Sequence, residues 1–233
     1  MPGLFTGCDP VLTQRMNAMS AINKRQYAPA AERNREPISA VLAEHLPASA
    51  TVLEIASGTG QHAVFFAEQL APRHWLPSDP NPIARESIAS WRAIAQLPNL
   101  HEPLALDVTQ AQWPDFVTTW QQQNAPESAL RAIVNINMIH ISPWAACEGL
   151  FAGAAQLLTA GDVLYLYGPF KQGGQHTAPS NAAFDRSLRQ QNSAWGVRDL
   201  DVVCETAQQS GFVLKAVIAM PANNLSVIFH AAD

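Results

Sequence analysis

The sequence has few charged residues, few cysteines and no long apolar run. Charged residues make up 14% of its 233 residues, against about a quarter in an average soluble protein. The formal net charge is −5, and the densest basic cluster, within residues 24–36, is interrupted by acidic residues. A basic stripe is typical of nucleic-acid-binding proteins, so its absence disfavours a nucleic-acid partner. No segment approaches the roughly 18 uninterrupted apolar residues of a membrane span, and no membrane partner is expected.

The three cysteines, Cys8, Cys147 and Cys204, are far apart and do not form a CxxC pair. This spacing argues against a zinc site or a disulfide framework and fits a reducing cytoplasm. The start of the chain does not combine a basic stretch with an apolar run, as a signal peptide does. With 48% hydrophobic residues the chain can bury a large core. We expect a soluble, cytoplasmic protein that needs no metal ion.

Apolar segments alternate with amphipathic ones from about residue 50 onward, which is typical of βαβ units around a parallel sheet. The last two apolar segments are so close together that they require an antiparallel hairpin. The predicted strands are Thr51–Ala56, His74–Pro77, Pro103–Val108, Ala129–Asn137, Asp162–Tyr167, Phe212–Met220 and Leu225–His230. This pattern predicts an α/β fold: a Rossmann-like, seven-stranded, mostly parallel sheet with helices on both faces and a C-terminal antiparallel hairpin.

Segments with helical periodicity separate these strands. The predicted helices are 31–46, Gln61–Leu70, Pro82–Leu97, 111–123, Pro143–Leu158, Ala182–Gln190 and Asp199–Ser210. Residues 168–181 are rich in glycine, proline and polar residues and are expected to form a long functional loop. We expect one domain over residues 31–233, preceded by an N-terminal extension, residues 1–30, that closes over the active site.

The segment from Glu54 to Gly60 leaves a buried strand, turns and enters a helix. Its glycines permit positive φ angles and a close approach of the backbone to a nucleotide. Two patterns fit this segment. Gly58, Gly60 and Ala63 satisfy the dinucleotide pattern G-x-G-x-x-A, with Asp79 about 20 residues beyond to bind a ribose. The segment also satisfies E-x-A-x-G-x-G, in which an acid lies within the strand before the glycines.

Glu54 helps to separate these two patterns. A carboxylate inside an apolar strand costs several kcal/mol unless it has a partner, and the ammonium group of a ligand, or ordered water beside it, would be that partner. Pyrophosphate recognition gives no reason for an acid at this position. A second acid at a strand end, Asp107, can accept a hydrogen bond from the exocyclic amine of adenine. These residues favour S-adenosylmethionine over a dinucleotide. The structural alternative is that Glu54 pairs with a basic residue such as Arg33.

From about residue 20 to its end, the chain resembles class I S-adenosylmethionine-dependent methyltransferases and, more closely, the methyltransferase-like protein 26 family. The resemblance lies in the segments PAAERNREPI, VLEIASGTGQHAVFFA, SDPNP, INMIHISPW, LYGPF, HTAPSNAAFD, WGVRDL and MPANNLSVIF. It implies a seven-stranded sheet with an antiparallel final strand, and S-adenosyl-L-methionine as the cofactor. It does not imply a substrate. The segment that begins at Asn137 differs from the (D/N)PP(Y/F) motif of amino-methylating nucleic-acid enzymes, which disfavours that substrate class further.

The resemblance also implies which residues bind the cofactor. They are Glu54, Ala56, Gly58 and Gly60 in the turn, Asp79 for the ribose, Asp107 and Val108 for the adenine, and Asn137 for the methionine end. Ala56 stands where a glycine is more common. Arg33 and Asn34, on the N-terminal helix, are expected to cap the same pocket. The alternative for these two residues is an exposed polar helix face.

Methyl transfer is an in-line displacement at a sulfonium carbon, and an O–H, N–H or S–H acceptor must lose a proton. His140 is the first candidate base, since it titrates near neutrality and follows the end of a strand. His176, in the long loop, is the second candidate. The alternatives are that His140 only orients a loop behind the site and that His176 is solvated.

Aromatic and amide side chains expected at one edge of the sheet are the candidate substrate residues. They are Tyr27, Trp144, Tyr167, Phe170, Asn181 and Asn223. They favour a mostly apolar pocket for a small, planar molecule, although the aromatic residues fit a core equally well. We therefore expect a methyltransferase that acts on a small-molecule O, N or S acceptor by direct transfer. Two alternatives stay open: a non-catalytic S-adenosylmethionine-binding scaffold and an NAD-dependent oxidoreductase.

Overall fold

A six-stranded sheet forms the centre of the chain in a computed structural model, which describes residues 24–233. The strands of this part of the chain are β1 (Thr51–Ile55), β2 (His74–Pro77), β3 (Leu130–Ile136), β4 (Val163–Gly168), β5 (Phe170–Gln172), β6 (Gln175–His176), β7 (Arg198–Asp199), β8 (Phe212–Met220) and β9 (Asn224–Ala231). The order in the main sheet is β2–β1–β3–β4–β9–β8, and β6–β5–β7 form a small second sheet. The first four strands of the main sheet are parallel, and β9 is antiparallel to both of its neighbours.

The predicted C-terminal antiparallel hairpin is confirmed. Strands β8 and β9 pair along their whole length, and Met220 lies opposite Asn224 at the closed end. In the turn between them, Ala222 and Asn223 both adopt a φ of 58°. An asparagine tolerates this left-handed conformation better than most residues, because its short polar side chain can hydrogen-bond locally. Asn223 therefore helps to close the hairpin.

The prediction of seven strands in the main sheet is wrong. The segment predicted as the third strand, Pro103–Val108, makes only an isolated parallel bridge, between Leu104 and Ser78. The pairing does not continue past this bridge, because the Asp79 carbonyl that the next bond would use accepts from Arg85 Nη1 at 2.9 Å instead. Beyond Leu104 the chain turns at Asp107–Gln110, where the backbone N–H of the last residue donates to the carbonyl of the first at 3.0 Å. The segment therefore lies beside β2 without becoming a strand.

Helices connect the strands and pack on the sheet. They are α1 (Pro29–His45), α2 (Gln61–Gln69), α3 (Pro82–Ala95), α4 (Trp113–Asn124), α5 (Trp144–Leu157), α6 (Pro179–Gln191) and α7 (Leu200–Gln209). The prediction of a long loop over residues 168–181 is wrong, because β5, β6 and the start of α6 lie within it. Gly173 and Gly174, with φ of 56° and 76°, form the tight turn that pairs β5 with β6.

Two hydrophobic clusters cover the two faces of the main sheet, because side chains alternate along a strand. On one face, Leu53 packs in the same cluster as Phe151 of α5. On the other face, Val52 packs in the same cluster as Leu42 of α1 and Phe66 of α2. With both faces covered, the carboxyl ends of the parallel strands are the edge at which open α/β sheets bind ligands.

Most of the predicted N-terminal extension, and Cys8 within it, lie outside the described residues. The part that is described begins at residue 24 and crosses α3. The backbone N–H of Gln26 donates to Ser87 Oγ at 2.8 Å, and Trp91 Nε1 donates to the carbonyl of Gln26 at 3.0 Å. None of the helices within residues 24–233 combines the length and the apolar character that crossing a membrane requires.

Candidate active site

The turn after β1 joins the sheet edge to helix α2. Ala56, Gly58 and Gly60 adopt left-handed conformations, with φ of 57°, 55° and 87°. A Cβ on Gly60 would lie 2.8 Å from the Cα of Ile88, so glycine allows α2 to start this close to α3. A Cβ on Gly58 would meet nothing within 4 Å, so this glycine faces open space. Ala56 adopts the same conformation with a methyl group, at a cost of about 1 kcal/mol.

Asp79 ties this turn to the end of β2. Its Oδ2 accepts a hydrogen bond from the backbone N–H of Gly58 at 3.0 Å, and its Oδ1 accepts one from Asn81 at 2.9 Å. Burial raises the pKa of Asp79, while these two hydrogen bonds and the Arg85 guanidinium lower it. The carboxyl group therefore holds the turn in place, in addition to the ribose contact that the sequence predicts.

Glu54 is buried in β1, with 1% of its surface exposed. Its partner is the indole of Trp75 on the neighbouring strand β2, whose Nε1 donates to Oε2 of Glu54 at 2.8 Å. Arg33, the basic partner considered from the sequence, is exposed on α1. Burial raises the pKa of Glu54 to about 7, against the lowering effect of hydrogen bonds from Trp75 and Ser57. An indole therefore supplies the partner that the sequence argument assigned to a ligand or to Arg33.

A cavity of about 320 Å³ lies beside the turn, and we call it the Asp107 cavity. Its lining residues are Ile55, Ala56, Pro80, Leu106, Asp107, Val108, Thr109, Met138, Ser142, Pro143 and Ala146. Oδ1 of Asp107 accepts hydrogen bonds from the N–H and the hydroxyl of Thr109, at 2.9 and 2.7 Å, which orients the carboxylate. A volume of about 300 Å³ is enough for a small ligand. Apolar walls with one acid suit a flat group with a polar edge, such as adenine.

A larger cavity of about 660 Å³ lies between α1, the end of β4, α6 and the β8–β9 turn, and we call it the Tyr167 cavity. Its lining residues are Ala30, Asn34, Asn137, Ile141, Tyr167, Pro169, Ser180, Asn181, Phe184, Ala222, Asn223 and Asn224. The structure thus brings together three candidate substrate residues, Tyr167, Asn181 and Asn223. It places Asn34 and Asn137, which the sequence assigned to the cofactor, in the same cavity.

The turn from Asn137 to Ser142 separates the two cavities. Asn137 and Ile141 line the Tyr167 cavity, whereas Met138 and Ser142 line the Asp107 cavity. Asn137 adopts a left-handed φ of 65°, and its backbone N–H donates to the carbonyl of Tyr167 at 2.8 Å. This bond ties the turn to the end of β4. Two molecules bound in the two cavities would therefore be neighbours across this turn.

His140, the first candidate base, lies in this turn and is fully buried. Its Nδ1 accepts a hydrogen bond from the backbone N–H of Arg198 at 3.3 Å, and its Nε2 has no partner among the described residues. A Cβ on Gly168 would lie 2.5 Å from this Nε2. Burial lowers the pKa of His140 to about 3, so the imidazole is neutral. His140 lines neither cavity, and its role as a base stays a prediction.

Several other predicted residues also lie away from the two cavities. Nε2 of His176, the second candidate base, lies 3.3 Å from Oδ2 of Asp185. Phe170 is fully buried, and its ring packs edge-on against the His140 ring. The remaining residues of this group are Tyr27 and Arg33, which are exposed, and Trp144, whose ring lies under the Arg198 guanidinium. The structure therefore does not bring these side chains together with Tyr167.

Sequence reasoning expected the segment from Asn137 to His140 to line the site, but it missed Ile141 and Phe184. Both lie in segments that carry the family resemblance, so a signal was present. Ile141 belongs to INMIHISPW, but the pattern does not reveal that the turn divides two cavities. Phe184 belongs to HTAPSNAAFD, and only the position of α6 shows that it lines the Tyr167 cavity.

The comparison with known protein families identifies the chain over nearly all of its described length. The model of a family described as proteins of unknown function, DUF938, matches residues 25–231. The chain belongs to the DUF938 family. The family description names no activity. The closer resemblance to the methyltransferase-like protein 26 family stays a prediction.

The solved structures that this DUF938 member resembles include several methyltransferases. An O-methyltransferase family protein from Burkholderia thailandensis matches with a TM-score of 0.69 at 13% identity, over 85% of this chain and 56% of that chain. An O-methyltransferase family 2 protein from Planctomyces limnophilus, solved in complex with apigenin, matches with a TM-score of 0.67 at 15% identity, over 97% and 63%. The S-adenosylmethionine-dependent methyltransferase SibL matches with a TM-score of 0.62 at 15% identity, over 85% and 55%. The chain thus has a methyltransferase fold and spans less than two thirds of the length of each of these proteins.

Proposed function

We propose that this DUF938 member is an S-adenosylmethionine-dependent methyltransferase that acts on a small molecule by direct transfer to an O, N or S atom. The observation that carries the proposal is the pair of cavities on the two sides of the Asn137–Ser142 turn, at the ligand-binding edge of a methyltransferase fold. The Asp107 cavity suits the adenosine of the cofactor. The Tyr167 cavity has the size of a small-molecule site and would hold the acceptor.

The chain's own residues would bind and align the two molecules. The chemistry that S-adenosylmethionine would supply when bound is a methyl group, whose bond to sulfur would break, with the electron pair left on sulfur, as the bond to the acceptor formed; the proton lost by the acceptor would pass to water. Asp107 would accept a hydrogen bond from the adenine amine, and Gly58 would allow the ligand to approach the backbone closely. The turn at Asn137 would hold the acceptor beside the cofactor, and such alignment lowers the barrier by removing the need for a chance encounter.

Isothermal titration calorimetry with S-adenosylhomocysteine and with NADH tests this proposal. We expect the wild-type protein to bind S-adenosylhomocysteine, and Asp107→Ala to weaken binding about tenfold by removing a hydrogen bond to a charged group. Asp115→Ala, which removes an exposed acid on α4, is the matched control and should leave binding unchanged. Binding of NADH without binding of S-adenosylhomocysteine would contradict the proposal and favour an NAD-dependent oxidoreductase. Binding of S-adenosylhomocysteine without methyl transfer across a broad acceptor panel would favour the non-catalytic scaffold.

A further inference from the structure

The Tyr167 cavity offers hydrogen-bonding groups without charge. Its polar side chains are the amides of five asparagines and the hydroxyls of Ser180 and Tyr167, and none of the described lining residues is ionised at neutral pH. Asp185 on α6, next to Phe184, already has charged partners, since its carboxylate lies 3.3 Å from Lys171 Nζ and 3.2 Å from Arg189 Nε. An ion that leaves water needs a counter-charge to compensate for its lost hydration. The described lining provides no such counter-charge.

Burial raises the pKa of the Tyr167 hydroxyl, while the neighbouring side chains of Asn34 and Asn224, which line the same cavity, lower it. The oxygen of the Asn34 amide pairs with His62 Nε2 at 2.7 Å. Burial lowers the pKa of His62 to about 4, so this network is uncharged at neutral pH. A tyrosine hydroxyl donates one hydrogen bond and accepts others. The Tyr167 hydroxyl, whose pKa is raised from its ordinary value, keeps its proton at neutral pH and can donate it to a bound molecule.

Two apolar side chains of the cavity remain exposed. Phe184 on α6 is 42% exposed and Ile141 in the dividing turn is 46% exposed, and both line the Tyr167 cavity. A ligand that covers them gains hydrophobic free energy in proportion to the apolar area removed from water. A ring is well suited to this, because it presents a flat apolar face to Phe184 and polar substituents to the amide groups.

We infer that the Tyr167 cavity binds an uncharged, ring-containing molecule that accepts a hydrogen bond from the Tyr167 hydroxyl. The inference rests on the proposed function in one respect, namely that this molecule is the methyl acceptor. The chemical class itself follows from the cavity: neutral donors and acceptors on one side, and Phe184 and Ile141 exposed to the same space.

Three probes of the same size test the inference: benzamide, benzoate and benzylammonium, which share a ring and differ in charge. Their binding to the full chain is measured by saturation-transfer NMR titrations at neutral pH. We expect benzamide to bind at least about tenfold more tightly than either ion, because neither ion finds a counter-charge in the cavity.

Two tyrosines on β4 provide a matched pair of variants. Tyr167→Phe removes the hydroxyl of a residue that lines the cavity and should weaken benzamide binding about tenfold. Tyr165→Phe makes the same chemical change two residues earlier on the same strand, where the hydroxyl lies 2.6 Å from Ser226 Oγ and outside the cavity. This control should leave benzamide binding unchanged.

Asn137→Asp reverses the charge preference. Aspartate tolerates the left-handed conformation of Asn137, so the turn should persist. The variant places a carboxylate in the cavity, and we expect benzylammonium to bind more tightly to it than benzamide does. Persistence of the benzamide preference in this variant would contradict the inference.

The inference is overturned if the three probes bind equally, if none of them binds, or if Tyr167→Phe leaves benzamide binding unchanged. A separate titration with S-adenosylhomocysteine distinguishes this failure from failure of the proposed function. If S-adenosylhomocysteine binds and benzamide does not, only the acceptor class is wrong. If benzamide binds in the cavity and S-adenosylhomocysteine does not, the chemical class stands and the proposed function fails.

Discussion

At the scale of single residues, Glu54 illustrates how surroundings decide the charge of a side chain. Its carboxyl group lies inside the sheet with the Trp75 indole as a partner, and burial raises its pKa to about 7. An ordinary glutamate titrates near pH 4.3 in an unfolded chain. The folded protein therefore retains a proton at pH values where the unfolded chain has lost it. Ionisation of Glu54 in the folded protein therefore lowers the free energy of unfolding.

We predict that Glu54→Gln removes this pH dependence. The wild-type glutamate stabilises the folded protein fully below about pH 4.5, and this contribution is lost as the pH rises through about 7. The loss amounts to roughly 3 kcal/mol in the free energy of unfolding. A glutamine accepts the Trp75 hydrogen bond without titrating. Urea unfolding at several pH values between 5 and 8 should show that the variant gains stability over the wild type as the pH rises.

The control for this prediction is Glu44→Gln, which changes an exposed glutamate on α1. It should follow the wild-type curve throughout. If Glu54→Gln also follows that curve, the Glu54 carboxyl is already ionised in the folded protein and burial does not govern it.

At the scale of elements, the end of β4 and the turn after β3 form one unit. The backbone N–H of Asn137 donates to the carbonyl of Tyr167, and Gly168 leaves room for the side chains of the turn. A Cβ on Gly168 would lie 2.5 Å from His140 Nε2 and 3.1 Å from Asn137 Oδ1. The absence of a side chain on Gly168 therefore lets the wall between the two cavities approach β4.

We predict that Gly168→Ala destabilises the protein by roughly 1–3 kcal/mol, because the added methyl group overpacks a buried contact. Gly161→Ala is the control: this glycine has a positive φ of 83°, but a Cβ there would meet nothing within 4 Å. The control should lose only about 1 kcal/mol in the free energy of unfolding, which is the cost of a residue with a Cβ in a left-handed conformation. Equal losses in urea unfolding would show that the contact with His140 does not matter.

At the scale of the whole molecule, histidines that folding keeps neutral contribute to the response to acid. Burial lowers the pKa of His62 and His101 to about 4 and that of His140 to about 3. The unfolded chain binds these protons near pH 6.5, before the folded protein does. Stability is therefore expected to fall as the pH drops below about 6.5.

We predict that His140→Asn shifts the midpoint of acid unfolding to lower pH. The asparagine oxygen can accept the hydrogen bond from the Arg198 N–H that His140 Nδ1 now accepts, and it does not titrate. Circular dichroism across pH 7 to 3 measures the midpoint. A midpoint that stays the same or rises would mean that His140 does not limit acid stability.

Much of the fold could be predicted from the sequence, because its signals are local. The apolar segments at β1, β2 and β4 appear where they were expected, since a buried strand needs consecutive apolar residues. The spacing of four residues between the last two segments required an antiparallel hairpin. The segment at Pro103–Val108 was misjudged because its apolar residues resemble a strand, while pairing depends on backbone partners: the Asp79 carbonyl that would continue the ladder is taken by the Arg85 side chain.

The candidate site was predictable only in part. The glycine turn and Tyr167 follow from position, since the carboxyl ends of parallel strands lie at one edge of a sheet. Asp107 reaches the same edge from a segment that lies beside β2 without becoming a strand. The surroundings of Glu54 and His140 were not predictable. Trp75 and Arg198, which supply their partners, are 21 and 58 positions away in the chain.

The sequence by itself determined the alternation of strands and helices, the left-handed turn at Gly58 and Gly60, and the direction of the terminal hairpin. These features depend on side-chain periodicity, φ angles and connection lengths, which act over a few neighbouring residues. Only the tertiary structure decided that Asn34 and Asn137 share a cavity with Tyr167, and that His140 is enclosed. Burial and partners depend on which distant elements pack together, and no local pattern records that.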